Sequence, residues 1–219
     1  MDAERKRVSI DNGGAGAGPD YHPLDRFNAF SDGVFAIVIT LLVLELPVPP
    51  AGVMVPQALA ESWPDFLGYF ISFAFVGGIW LSHAGLTKSM KRGDALSFRL
   101  NLVMLLFVSL LPFATKVMVT HMKGPDARLA VALYGVNLLV ASAMITALML
   151  YAARDRHLVV DDVADEKLRR AYRQRRAYLI VSAVAVIVAL VAPIVAVGIY
   201  IIVAAMFIIQ PLIGARRRH

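Results

Sequence analysis

Between Ala177 and Ala215 the chain carries no charged side chain. A run of this length has few places to go. The hydrocarbon layer of a bilayer is crossed by roughly 20 mostly apolar residues in helical form, and this block exceeds one crossing. It contains Pro193 and Gly198, so it reads as two helices joined by a tight turn near Ala192–Gly198. One long kinked helix is the alternative. Four earlier stretches also qualify as crossings: about Phe27 to Leu46, Phe66 to Leu86, Phe98 to Val119 and Ala127 to Tyr151. The expected fold is therefore an all-α membrane protein with six transmembrane helices.

Composition agrees. The chain is 58% hydrophobic and 17% charged, with a mean hydropathy of +0.66, whereas soluble domains average about 45–50% apolar and about 25% charged. An ordinary soluble enzyme and a disordered chain do not fit these values. There is no cysteine, which removes disulfides, thiolate metal sites and cysteine nucleophiles together. A net charge of +6 and a pI near 9.8 are often signs of nucleic-acid binding. In a membrane chain the simpler reading is that basic residues collect on the cytoplasmic side, and no nucleic-acid partner is expected.

The placement of the basic residues supports that reading. Of the 22 Lys and Arg, only Lys116, Lys123 and Arg128 fall on one side of the predicted crossings. All others lie in the N-terminal segment, in the connections after the second and fourth crossings, or in the tail. The proline-rich segment after the first crossing holds Glu61 and Asp65 but no base. Six crossings then put both termini in the cytoplasm, and a five-crossing chain would place Arg216, Arg217 and Arg218 outside. Residues 1–23 read as a flexible tail, 24–215 as the transmembrane domain and 216–219 as a basic tail. The glycine run at Gly13–Gly18 lacks the Lys-Ser/Thr ending of a phosphate loop. The first crossing reads as an uncleaved start signal, and a single six-crossing unit favours a bacterial inner membrane.

Ionisable groups near a crossing are costly in lipid and ask for a reason. Arg26, Asn28, Ser31 and Asp32 cluster at the start of the first crossing. Arg26 and Asp32 are too far apart for the usual one-turn pair, so each is expected to meet a neighbouring helix or chain; alternatively, Ser31 and Asp32 simply cap the helix. Trp80 and His83 lie near the same membrane face. Asn101, Asn137, Ser109, Thr115 and Thr146 are expected to bond neighbouring helices, and Gly77–Gly78 to let helices approach closely. Along the first crossing, Phe30, Gly33, Ile37, Leu41 and Leu44 share one helical face, with Thr40 at its edge. Ordinarily such a stripe is packing or lipid contact. If several copies of the helix surrounded an axis, Ile37, Leu41 and Leu44 would stack as apolar rings able to gate by dewetting. No paired carboxylates, zinc motif, nucleophile elbow or TVGYG filter appears, so no enzyme activity, metal site or cofactor is expected.

The stretch from Arg26 to Leu46, RFNAFSDGVFAIVITLLVLEL, closely resembles the first-helix signature of the transmembrane protein 175 family. Its core, an Arg followed by Phe-Ser-Asp, is matched by Arg26, Phe30, Ser31 and Asp32. Trp80-Leu-Ser-His83 is similar to the family's second-helix Trp-x-x-His, and Arg99 to Thr115 resembles its third helix. The resemblance is detailed over about residues 24–120.

This resemblance implies a potassium channel that also passes other monovalent cations. Bacterial members of the family have six helices and form homotetramers; animal members carry two such repeats and form dimers. The first helices line a central pore without a carbonyl filter. By position, Ile37, Leu41 and Leu44 match the family's hydrophobic constriction and Thr40 a hydroxyl-bearing pore position. Arg26, Ser31 and Asp32 match a polar network tying the first helix to its neighbours, with Trp80 and His83 in support. Two departures stand out: Asn28 where many bacterial relatives carry an acid, and Ala84 where a second His often follows the first. A proton-coupled carrier using Asp32 and His83, and a non-conducting scaffold with basic tails on anionic lipid, are the competing readings. The first expects broken helices and internal repeats.

Overall fold

The computed structural model describes residues 23–154, 158 and 165–216, with side chains described for part of the last two helices. Its extended regular elements among these residues are all α-helices. The helices are α1 (Leu24–Leu44), α2 (Val55–Glu61), α3 (Trp63–Thr87), α4 (Ala95–Ser109), α5 (Leu111–His121), α6 (Ala127–Arg154), α7 (Asp165–Ala189) and α8 (Pro193–Arg216). Where water is absent, a helix is the element that satisfies its own backbone N–H and C=O groups. Four helical units are long and apolar enough to cross a membrane: α1, α3, α4 with α5, and α6. The N-terminal tail, apart from Pro23, and Arg217–His219 lie outside the described residues.

Prolines punctuate the helices. Pro112 follows the single-residue break between α4 and α5. It has no N–H to offer the carbonyl four residues earlier, so one crossing is built from two segments. Pro193 opens α8. Before it, the Leu190 and Val191 amides donate back to the Ile187 and Val188 carbonyls at 3.2 and 3.0 Å, ending α7. The last apolar block is therefore two helices, not one kinked helix. Its turn is Leu190–Ala192, earlier than expected, and Gly198 sits inside α8. Much of the basic stretch before this block belongs to α7, which begins at Asp165.

The core lies around α6 and α3. α6 packs against α4, α5, α7 and α8, and α3 against α1, α5 and α8. Tyr134, Ile145 and Leu148 of α6 and Val76 and Ile79 of α3 have no exposed surface. Close approach of one helix to another is seen at Gly68 and Gly135. A Cβ on Gly68 would strike Val119 of α5, and one on Gly135 would strike the Tyr200 ring of α8. Gly77, expected in this role, faces open space within the chain. Ser72, Thr115 and Tyr134 tie α3, α5 and α6 at one point, with Ser72 Oγ 2.7 Å from Thr115 Oγ1 and 2.9 Å from Tyr134 Oη. Asn137 Nδ2 donates to the Phe107 carbonyl of α4 at 3.0 Å. Ser109 and Thr146 instead bond carbonyls of their own helices, which costs them no partner in an apolar layer.

At the end of the bundle that carries the α3–α4 connection, Asp94 caps α4. Its carboxylate accepts from the Ser97 amide at 3.0 Å and from the Ser97 hydroxyl at 2.5 Å, and the Tyr151 hydroxyl of α6 donates to its other oxygen. Burial pushes this carboxyl up, but the hydrogen bonds from Ser97 and Tyr151 outweigh it and hold Asp94 below its ordinary value. Its stabilisation is therefore complete at neutral pH and is lost as the pH falls through that lowered value. Asp94→Ala is expected to cost about 1 kcal/mol, in the range of helix caps, and to flatten the acid limb of a melting-temperature profile in detergent. Gly135→Val is expected to cost about 1–3 kcal/mol by overpacking against Tyr200; an unchanged melting temperature would show that α8 yields freely there.

Candidate functional site: the two faces of the first helix

α1 has two apolar stripes. Phe27, Ser31, Phe35, Val38 and Leu42 are buried, at spacings that keep them on one face. They pack on α3, α4 and α5. A second stripe is exposed among the described residues: Phe30 is 56% exposed, Ile37 59%, Leu41 41% and Leu44 75%. Only 28% of the apolar stretch of α1 is buried, against 61% for α6, so α1 stands at the edge of the bundle. Thr40 is on the uncovered side, and its hydroxyl donates to the Ile37 and Ala36 carbonyls at 2.8 and 3.2 Å.

The polar residues of α1 divide between its two faces. α1 starts at Leu24, so Ser31 and Asp32 lie well inside the helix and do not cap it. Ser31 is fully buried. Its hydroxyl donates to the Phe27 carbonyl at 2.9 Å and accepts from Asn101 Nδ2 of α4, also at 2.9 Å. Asp32 is exposed and accepts from the Trp80 indole of α3 at 2.9 Å. His83, one turn further along α3, is 1% exposed. Its imidazole stacks on Phe27 with centroids 5.5 Å apart, lies 5.8 Å from the Phe35 ring, and interacts with the Asn101 side chain. Ser31, Asn101 and His83 thus form a buried group, and Asp32 with Trp80 an exposed one. Arg26 is exposed and makes no hydrogen bond or ion pair among the described residues. Within one chain it therefore stands apart from Ser31 and Asp32.

Two residues of this arrangement carry more than the sequence suggests. Asn101 is the direct link from α1 to α4; a buried Asn in a predicted crossing is the signal, but its partner is 70 positions away. Lys116 of α5 holds the other end of α1. Its ammonium donates to the Glu45 carbonyl at 2.8 Å and lies 3.6 Å from the Asp65 carboxylate of α3. A cation at the last carbonyls of a helix offsets the negative end of its dipole and satisfies a group without an intrahelical partner.

The Asp32–Trp80 bond gives a direct test. In detergent, Asp32→Ala and Trp80→Phe are each expected to lower stability. The double variant should fall short of their sum by about 1 kcal/mol, the worth of a hydrogen bond to a charged group that is partly wet. Strictly additive losses would mean that this contact does not hold α1 to α3.

Comparison with known proteins places the chain. Residues 26–112 match the family described as endosomal/lysosomal potassium channel TMEM175, a stretch that contains α1 from Arg26 onward, the Trp80–His83 segment and α4. A potassium channel of Chamaesiphon minutus is 31% identical over 77% of this chain and 87% of its own length. One from Streptomyces collinus is 34% identical over 69% of this chain and 75% of its own. The bovine endosomal/lysosomal proton channel TMEM175 is 45% identical over 41% of this chain, but that match takes in only 21% of the bovine protein. Among solved structures, the lysosomal potassium-selective channel TMEM175 homologue from Chamaesiphon minutus superposes with a TM-score of 0.73 at 31% identity, covering 84% of this chain and 96% of that one. A variant of the potassium channel MtTMEM175 shares the fold, with a TM-score of 0.62 at 18% identity over 92% of this chain and 99% of its own. With relatives at this identity aligned over most of both chains, and with the signature residues assembled on and around α1, the chain is a member of the TMEM175 family.

Proposed function

We propose that the protein is a potassium-permeable cation channel, a homotetramer of six-crossing subunits whose pore runs along α1. The observation that carries this reading is the bare stripe of α1. One face of that helix is buried and bonded, while Ile37, Leu41 and Leu44 stay exposed among the described residues. Four copies brought together on that stripe would stack these residues as apolar rings, with Thr40 beside them. The names of the relatives, potassium channels in two bacteria, support potassium as the permeant ion. α7 and α8 supply the fifth and sixth crossings. The excess of basic residues on one side supports cytoplasmic termini in a bacterial inner membrane.

The mechanism follows from what the stripe lacks. A ring of Ile or Leu side chains offers an ion no oxygen to replace its hydration shell. A narrow ring of this kind therefore empties of water and closes, and opens when it widens enough to wet. Ions crossing it shed part of their shell, and potassium sheds water more readily than sodium. Selectivity by partial dehydration needs no carbonyl filter. Lys116 at one end, and Asp32–Trp80 with Ser31–Asn101 at the other, hold α1 at both ends and leave the gating residues between them.

The test is ion flux into liposomes containing the purified protein, under a potassium gradient and then a sodium gradient. Potassium flux is expected to exceed sodium flux. Ile37→Asn is expected to raise both and to bring them closer together, because an amide at the ring lets it hold water. Silence in both proteins, with a folded tetramer verified, would overturn the channel reading. Flux and selectivity unchanged by Ile37→Asn would move the constriction away from that ring.

A further inference from the structure

The segment joining α1 to α3 contains α2, a helix the channel reading does not use. It has two distinct edges. Val55 and Leu59 stack one turn apart and are both exposed. Gln57 and Glu61 stack on the opposite edge, where Gln57 Nε2 donates to Glu61 Oε1 at 3.1 Å. Ala58, between the edges, is the one buried residue of α2. A seven-residue helix cannot hold itself together in water, and here its apolar edge is left 55% exposed at Val55 and 40% exposed at Leu59.

We propose that α2 is an interfacial helix, seated on the bilayer with Val55 and Leu59 among the lipid acyl chains and Gln57 and Glu61 in water. The occupant of its bare edge is lipid because that edge runs on into a membrane-crossing helix. Trp63 opens α3 immediately after α2 and is 48% exposed, and Phe70, two turns below on the same face, is 62% exposed. The Lys123 ammonium lies 5.0 Å from the centre of the Trp63 ring. An indole with an ammonium beside it at the end of a crossing suits the headgroup layer, where a flat amphipathic ring and a cation are both accommodated. Trp63 and its Lys therefore mark the depth of the interface, and α2 lies next to that mark. The amphipathic split of α2 is the pattern of a helix lying in the interface plane. The proposal rests on the membrane fold and is independent of what the pore conducts.

The chain has no cysteine, so one introduced thiol is unique. Leu59→Cys, Val55→Cys and Gln57→Cys would be labelled with an environment-sensitive fluorophore and reconstituted at full length in phosphatidylcholine vesicles. Two quenchers are compared: a nitroxide carried high on a lipid acyl chain, and iodide on both sides of the membrane. Labels at Leu59 and Val55 are expected to be quenched by the lipid nitroxide several-fold more than the label at Gln57, and to be shielded from iodide. Strong iodide quenching at Leu59 and Val55 would put α2 in water and overturn the proposal. Shielding from both quenchers would overturn it in another way, with a second copy of the chain covering the edge. Melting temperatures within a few degrees of the unlabelled protein verify that each variant is folded, and no ion flux is needed for the measurement. A silent channel therefore leaves this test intact.

Discussion

A helix that keeps one face bare must take all its adhesion from the other. That constraint organises this protein. In lipid there is little hydrophobic drive to press α1 onto its neighbours, because acyl chains are as apolar as Leu42 or Val38. Close packing and a few polar contacts have to suffice. Phe27 and Phe35 supply the area, and His83 is packed flat against the first of them. Ser31 and Asp32 supply direction, since each reaches a different neighbouring helix. Lys116 supplies the third point, at the far end. Between those points α1 is held only by shape.

The rest of the bundle is built to make that edge position stable. α6 and α3 form its fully buried middle, and their contacts are specified by small residues and paired hydroxyls. Gly68 and Gly135 allow approaches that any side chain would block. The Ser72–Thr115–Tyr134 junction fixes three helices at one level, because sliding any one of them by a residue would strand a hydroxyl where no water can reach it. Polar pairs in such a layer are individually modest, about 0.6 kcal/mol on average in one membrane protein. They act by making the alternatives worse.

Much of this was legible in the sequence, and the illegible parts share a cause. Crossings are written in length and hydropathy, so α1, α3, α4–α5 and α6 were visible, as was the division of the last apolar block. The family signature on α1 was visible too, and with it the polar residues that the structure places on two of its sides. Periodicity could not say which stripe of α1 is buried, because Phe27, Phe35, Val38 and Leu42 are as apolar as Phe30, Ile37, Leu41 and Leu44. Only contact with other helices separates them. The same holds for Asn101, whose partner is remote in the chain, and for the glycines. Gly77 has the composition of a close crossing yet faces open space, whereas Gly68 and Gly135 meet other helices, since position around the helix decides and not residue type. α2 was missed because prolines crowd its segment and seven residues carry too little pattern.

The Thr40 hydroxyl has one proton, and it is committed to the carbonyls of Ile37 and Ala36. What remains for anything approaching from the bare side of α1 is oxygen lone pairs. Such a group accepts but does not donate. A chloride ion at that surface finds no hydrogen to bind, whereas a cation finds a weak, uncharged ligand. In the proposed pore, the backbone of α1, by claiming the proton, would leave a neutral side chain with a preference for positive over negative ions. No carboxylate is needed for it, and no change of pH in the range where proteins stay folded would remove it.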